Sequence, residues 1–142
     1  MADSYNLQRF VEAQESVIER VLSELRDGRK RSHWMWYIFP QVKGLGTSGT
    51  AWDFAIGSRQ EAVAYLKHRV LGPRLRDCAR LVLAIDGRTA QQILGTPDDL
   101  KFRSSMTLFA AVAADNAVFV DALQKYFDGA RCDYTLDFLE RY

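Results

Sequence analysis

The chain has little cysteine or proline and almost no net charge. Its 142 residues include 2 cysteines and 3 prolines, and the formal net charge is +1. Cys78 and Cys132 are too few for a disulfide scaffold, which favours a reducing cytoplasm. A near-zero net charge gives no broad attraction to nucleic acid or to an anionic membrane.

Long apolar runs are also missing. No stretch approaches the roughly 20 residues that a membrane-spanning helix requires, and the N-terminal segment lacks the basic and apolar regions of a signal peptide. We therefore expect a cytoplasmic protein without membrane association. The length predicts one domain over residues 1–142, and a hydrophobic content of 48% is sufficient for a compact core.

Apolar residues recur at helical spacing along most of the chain. The first stripe runs from Leu7 to Leu25, with Asn6 as its expected N-cap and Gly28 as its end. Further helix starts are predicted at Ser58, Thr89, Pro97, Asn116 and Asp133. Because no convincing alternating strand interrupts them, we predict an all-α domain, a multi-helix array of about seven helices.

An aromatic block is the main irregularity in the composition. Trp34 and Trp36 fall within Ser32 to Pro40 together with His33, and basic residues including Lys30 precede them. We expect a short helix that Pro40 ends. Basic groups attract phosphate and aromatic faces stack on bases, so the block fits a nucleotide or a single-stranded nucleic acid. The alternative is a core helix behind a solvated basic turn.

A glycine-rich segment follows the aromatic block. Gly44, Gly46 and Gly49 match the G-x-G-x-x-G pattern, but no βαβ unit surrounds them, so a dinucleotide site is not predicted. Two interpretations stay open. Backbone amides between Gly44 and Ser48 could hold an anion, or the segment could be a plain flexible turn.

A second polar block runs from Lys101 to Thr107. On a helix, Lys101 shares a face with Ser104 and Ser105. A buried lysine could act as a base for a serine, and the hydroxyl groups could bind phosphate or sugar. Alternatively, the small residues allow close helix packing while Lys101 extends to solvent.

Metal and cofactor sites are not predicted. His33, His68, Cys78 and Cys132 lack the tight spacing of structural zinc ligands. A further basic cluster between Lys67 and Arg80 is expected to be a solvated face.

Two segments resemble the signatures of a known family. They are the first polar block, which runs from Gly28 to Gln41 and contains the aromatic block, and the second polar block. The run GRKRSHWMWYIFPQ from Gly28 to Gln41, the glycines that follow it and the block from Lys101 to Phe109 are similar to the domain-of-unknown-function family numbered 1810. The resemblance covers essentially the whole chain, with Arg69 where a proline is expected. It implies a mostly helical, cytoplasmic protein and no known activity. It directs attention to polar residues in both signatures: Lys30, His33, Gln41, Ser48, Lys101, Ser104, Ser105 and Thr107.

The leading hypothesis is that the protein binds a phosphorylated ligand that is nucleotide-like or related to ADP-ribose, and hydrolysis of that ligand is its second part. Trp34 or Trp36 would stack on a base or sugar, and Lys30 and Lys101 would hold the anion. Histidine exchanges protons readily near neutral pH, so His33 is the leading acid–base candidate. Lys101 and Ser104 complete the candidate catalytic set. The other candidate ligand contacts are Gln41, Gly44, Gly46, Ser48, Ser105 and Thr107.

Two alternatives belong to other classes. The aromatic block could be an exposed patch of a non-enzymatic interaction or homo-oligomerisation module. The basic turn from Arg26 to Arg31 could bind single-stranded nucleic acid, although the balanced charge disfavours that partner.

Overall fold

Ten helices and no extended strand make up residues 3–142, the part of the chain that the computed structural model describes. The helices are α1 (Gln8–Glu15), α2 (Ile18–Arg26), α3 (Met35–Ile38), α4 (Gly49–Asp53), α5 (Arg59–Lys67), α6 (Leu71–Leu83), α7 (Ala90–Leu94), α8 (Asp98–Val112), α9 (Ala117–Phe127) and α10 (Asp133–Arg141). The predicted all-α class is confirmed. The count exceeds the predicted number of about seven because the first apolar stripe divides into α1 and α2 and because α4, a helix of five residues, has no counterpart in the prediction.

The first apolar stripe forms two helices rather than the single one predicted. The chain turns at Ser16 and Val17, where the Val17 amide bonds the Gln14 carbonyl at 3.0 Å. The predicted N-cap is also wrong. The carboxylate of Asp3 accepts from the amides of Leu7, the N-cap residue of α1, and of Gln8, its first residue, whereas Asn6 adopts a φ of 51°. The predicted end is confirmed, because Gly28 follows α2 with a φ of 76°.

The aromatic block forms the short helix α3, as expected. Phe39, just before Pro40, leaves the helical region with φ −121° and ψ 73°. After Pro40, an isolated parallel bridge joins Val42 to Ile56. The glycine-rich segment therefore lies between α3 and α4, without the strands of a dinucleotide-binding unit.

Two predicted helix starts carry a side-chain cap. The Ser58 hydroxyl accepts from the Glu61 amide at 3.1 Å. Thr89 and Gln92 form a reciprocal capping box at the start of α7. Such caps satisfy amides that have no partner within the helix, which explains why these helices begin where they do.

Two other predicted starts lack the expected side-chain cap. Asn116 is the N-cap residue of α9, as predicted, but its side chain donates to the Ala110 carbonyl at 3.0 Å and makes no cap hydrogen bond. The N-cap of α10 is Cys132, and Asp133 is already the first helical residue.

Helix α8 lies at the centre of the fold. It packs against α5, α7, α9 and α10, so apolar residues are buried on more than one of its sides. Phe102 meets Phe39 with ring centres 4.9 Å apart, and Phe109 contacts Tyr65 and Phe119 at 5.6 and 5.8 Å. This central position brings the N-terminal turn of α8 close to the aromatic block.

No helix within the described part of the chain has the length and apolar content needed to cross a membrane.

Candidate functional site

A cleft of about 210 Å³ opens where the aromatic block meets the start of α8. The residues that line it are Lys30, His33, Trp34, Met35, Trp36, Tyr37, Thr50, Asp98 and Lys101. The first polar block supplies most of this lining, α4 supplies Thr50, and the first turn of α8 supplies the rest. The cleft thus joins segments that are far apart in the sequence.

The cleft brings together His33 and Lys101, which are 68 positions apart. His33 is exposed, and the Lys101 side chain is 33% exposed. Both side chains are therefore accessible from solvent. Helical periodicity could not predict this meeting, because it depends on how α3 and α8 pack.

One carboxylate, that of Asp98, binds both lysines of the cleft. Its oxygens lie 2.8 Å from Lys30 Nζ and 3.2 Å from Lys101 Nζ. The Lys30 side chain is only 7% exposed, and its ammonium also donates to the Ser32 carbonyl and lies 5.1 Å from the centre of the Trp34 ring. Lys30 is therefore buried and held by a carboxylate and a carbonyl, whereas the more exposed Lys101 keeps donors for a ligand.

Glu24 holds the turn that carries His33. Its Oε1 accepts from the amides of Arg31 and Ser32 and from the Trp34 indole at 2.8–3.1 Å, and its Oε2 accepts from the Ser32 hydroxyl at 2.6 Å. Burial raises the pKa of this carboxyl, but the hydrogen bonds, led by that of the Ser32 hydroxyl, lower the pKa to about 2. The turn is therefore organised around a buried negative charge.

Trp34 and Trp36 line the cleft without offering an open ring face. Their exposed fractions are 1% and 7%. The predicted stacking role requires an accessible ring face, which side chains this deeply buried do not provide. The same burial removes the exposed aromatic patch that the interaction-module hypothesis placed here.

Two glycines of the glycine-rich segment lie so close to neighbouring side chains that a Cβ would not fit. Gly44 has a φ of 101°, and a side chain there would collide with the Tyr134 hydroxyl. A Cβ on Gly46 would lie 3.0 Å from the Trp36 ring, and the Ser48 hydroxyl caps α4. None of these three candidate residues lines the cleft.

Gln41, another candidate ligand contact, lies inside the fold. It is 2% exposed, and its main-chain carbonyl accepts from the Ile56 amide at 2.9 Å. Its side-chain nitrogen has no hydrogen-bond partner within residues 3–142.

Only Lys101 of the second polar block reaches the cleft. Ser104 is 6% exposed, and Ser105 and Thr107 are fully buried. The hydroxyls of Ser104 and Thr107 donate to carbonyls one helical turn earlier, and Thr107 also accepts from the Cys132 amide at 3.0 Å. These three hydroxyls therefore lie inside the protein, where α8 packs against its neighbours, and not in the cleft.

The sequence reasoning missed three residues of this region. Helical spacing puts Glu24 off the apolar stripe of the first segment, yet it is 4% exposed, and nothing in the local pattern indicates a partner ten positions later. Thr50 carries no sequence signal. Asp98 could have been found, because it stands three residues before Lys101 at the start of a helix.

Within residues 3–142, no group of three or more His, Cys, Asp or Glu side chains could hold a metal ion. The chemistry available in the cleft is that of one accessible lysine, one accessible histidine, a shared carboxylate and aromatic side chains.

The chain matches a family and a solved structure that carry no assigned activity. Residues 4–139 match the family model described as "Protein of unknown function (DUF1810)". The crystal structure of the conserved hypothetical protein Rv1873 from Mycobacterium tuberculosis is 50% identical, with a TM-score of 0.96 over 97% of this chain and 99% of that chain. No functionally curated protein matches at a significant level. The chain therefore belongs to the DUF1810 family, as the two sequence signatures indicated.

Proposed function

We propose that the cleft binds a phosphorylated, nucleotide-like ligand, with ADP-ribose among the candidates. The observation that carries the proposal is that His33 and Lys101, one from each polar block, line the same cleft. Nitrogen donors beside aromatic side chains suit a phosphate group attached to a sugar or a ring system, because charge-assisted hydrogen bonds to phosphate oxygens are among the stronger polar contacts.

The charges of the cleft favour an anion. Lys30 and Lys101 share the single carboxylate of Asp98, so one positive charge is in excess before His33 is counted. In the proposal, Lys101 and His33 contact the phosphate oxygens. Lys30 has another role, which is to hold Asp98 and thereby the first turn of α8.

The size of the cleft limits how much of the ligand it can enclose. Its volume of about 210 Å³ is below the roughly 300–1,000 Å³ of sites that enclose drug-sized molecules. We therefore assign to the cleft one phosphate with its adjoining sugar. The remainder of a nucleotide or of ADP-ribose would lie outside, against the surface.

Hydrolysis is the second part of the proposal. His33 would donate a proton to the leaving oxygen, and Lys101 would stabilise the negative charge on the phosphate. Water is assigned as the nucleophile, because Ser104 is buried outside the cleft.

Tryptophan fluorescence provides the binding test. Trp52 is 59% exposed, and replacing it by phenylalanine leaves Trp34 and Trp36, which both line the cleft. Titration of this variant with ADP-ribose, AMP, ribose 5-phosphate and inorganic phosphate should give a saturable change with at least one sugar phosphate. Lys101→Ala should weaken that binding about tenfold or more, because a hydrogen bond to a charged group contributes about 1.5–3 kcal/mol.

The matched control is Lys67→Ala, which changes an exposed lysine on α5 and should leave the affinity unaltered. The absence of any saturable response at millimolar ligand, in fluorescence and in calorimetry, would contradict the binding proposal. Equal weakening in both lysine variants would contradict the assigned site.

Hydrolysis is tested separately by phosphorus NMR of ADP-ribose incubated with the protein. His33→Asn should reduce turnover about a hundredfold or more, well beyond the roughly tenfold loss of affinity that the missing phosphate contact would cause. Bound ligand that stays intact in the wild-type sample would overturn the hydrolytic part and leave a binding protein.

A further inference from the structure

Asp98 brings a carboxylate to the lining of the cleft, among basic and aromatic neighbours. Its Oδ2 lies 2.8 Å from Lys30 Nζ, and the Lys30 side chain is 7% exposed. Because separating a buried charge from its partner is costly, this ion pair keeps the carboxylate in place. The Asp98 side chain is nevertheless 18% exposed, so a ligand in the cleft can reach it.

The carboxylate of Asp98 has acceptor positions beyond those that the lysines use. Two carboxylate oxygens together offer about four lone-pair positions. Lys30 binds at Oδ2, and Lys101 Nζ lies 3.2 Å from Oδ1. One ammonium on each oxygen leaves further positions for donors that enter the cleft.

A phosphate group cannot supply those donors. Ionised phosphate oxygens accept hydrogen bonds and carry negative charge, so they suit Lys101 and are repelled by a carboxylate. A phosphate oxygen bound to Lys101 nevertheless lies close to Asp98, because the side chains of Lys101 and Asp98 are themselves in contact. The part of the ligand that faces Asp98 must therefore carry hydrogen-bond donors. In a sugar phosphate these donors are the hydroxyl groups of the sugar.

We propose that Asp98 recognises the ribose hydroxyls of the ligand and so makes the cleft selective for ribose phosphates over deoxyribose phosphates. This inference rests on the proposed function, since it assigns the sugar side of the same site. The adjacent 2′- and 3′-hydroxyls donate to the Asp98 carboxylate while the phosphate binds Lys101 and His33. Asp98 is thus the specificity-determining residue, and the ligand class is a ribonucleotide or ADP-ribose.

The test is calorimetric titration of the full chain with AMP, 2′-deoxy-AMP and 2′-deoxy-2′-fluoro-AMP. AMP should bind about tenfold or more tightly than 2′-deoxy-AMP, because the deoxy compound lacks a hydrogen bond to a charged acceptor. The fluoro compound should bind more weakly than the deoxy compound. Its fluorine cannot donate, and its partial negative charge faces the carboxylate.

A pair of variants assigns this preference to one carboxylate. Asp98→Asn should reduce the preference for AMP over 2′-deoxy-AMP severalfold. It should also bind inorganic phosphate more tightly than the wild type, because a negative charge next to Lys101 is removed. Asp99→Asn is the matched control. It removes the same charge at the next position of α8, outside the cleft lining, and should keep the preference.

The outcomes separate this inference from the proposed function. Equal affinities for AMP and 2′-deoxy-AMP would overturn the role of Asp98 and leave phosphate binding in place. The absence of binding by these nucleotides and by ribose 5-phosphate would overturn both proposals. A folded Asp98→Asn variant with the full preference would also reject the assignment. If that variant does not fold, the wild-type protein decides. A fluoro compound that binds as tightly as the deoxy compound, or more tightly, would then exclude the carboxylate contact.

Discussion

The two polar blocks of this chain contain similar residue types in opposite surroundings. The first block presents His33 to solvent and binds Lys30 to Asp98 at the cleft. The second block directs its hydroxyls into the protein and only Lys101 toward the cleft. The difference arises because the first block lies in a turn and a short helix at the surface, whereas α8 is enclosed by other helices. Polar residues in a signature therefore need not belong to one binding site.

Removing Glu24 should have the largest effect, because it destroys the organisation of the first block. Glu24→Ala deletes four hydrogen bonds to a charged acceptor and leaves the Trp34 indole without one. We expect the free energy of unfolding in urea titrations to fall by about 3 kcal/mol or more. Glu12→Ala, at an exposed position of α1, is the control and should change it by less than about 0.5 kcal/mol. A loss below about 1 kcal/mol for Glu24→Ala would contradict the assigned role.

The pH dependence of stability tests the same role of Glu24 in the first polar block. In the folded protein the pKa of Glu24 is about 2, below its ordinary value of 4.5. The stabilising contribution is therefore fully present above pH 4.5 and is lost as the pH falls toward 2. Urea midpoints of the wild type should decline over this range, and Glu24→Gln should show a shallower decline. Parallel curves for the two proteins would show that another carboxyl group is responsible.

Gly46 tests the close packing against Trp36, which lines the cleft, and its substitution should have an intermediate effect on stability. A Cβ at this position would lie 2.6 Å from the Ala51 Cβ and 3.0 Å from the Trp36 ring. Gly46→Ala should therefore lower the free energy of unfolding by about 1–3 kcal/mol. Gly49→Ala is the matched control, since nothing lies within 4 Å of its Cβ position. Thermal unfolding measures both, and equal midpoints for the two variants would rule out the steric explanation.

The hydroxyls of the second block should give the smallest effects, with different signs. Thr107→Val removes the acceptor of the Cys132 amide and should cost about 1–2 kcal/mol. Ser105→Ala removes a fully buried hydroxyl that has no partner within the described residues, so it should be neutral or stabilising by up to about 1 kcal/mol. Denaturant titrations of the two variants test the contrast, which fails if Ser105→Ala is the more damaging change.

Much of the fold is predictable because its signals are local. The Ser58 cap, the Thr89 cap and Pro40 each act within a few residues, and the helix limits lie close to where those signals place them. The prediction failed where a distant or unexpected group took over a local role. The Asp3 carboxylate, and not Asn6, caps α1. The side chain of Asn116 donates to the Ala110 carbonyl instead of making a cap hydrogen bond in α9.

The site was predictable only in part, because the sequence shows which residue types are present but not which of them become neighbours in the folded protein. It identified His33, Lys101 and the aromatic block as candidates, and it could not show that they line one cleft. It also assigned ring faces to Trp34 and Trp36 that burial removes. Such errors are expected when several interpretations of a polar or aromatic residue fit the same local pattern.

The sequence by itself determined the helical class, several helix limits and the family, since periodicity, caps and signatures are properties of neighbouring residues. Tertiary structure decided which side chains share a cleft and which hydroxyls are buried. Each of these depends on contacts between segments far apart in the chain. Glu24 illustrates the division: its spacing puts it off the apolar stripe, and only the fold places four donors around it.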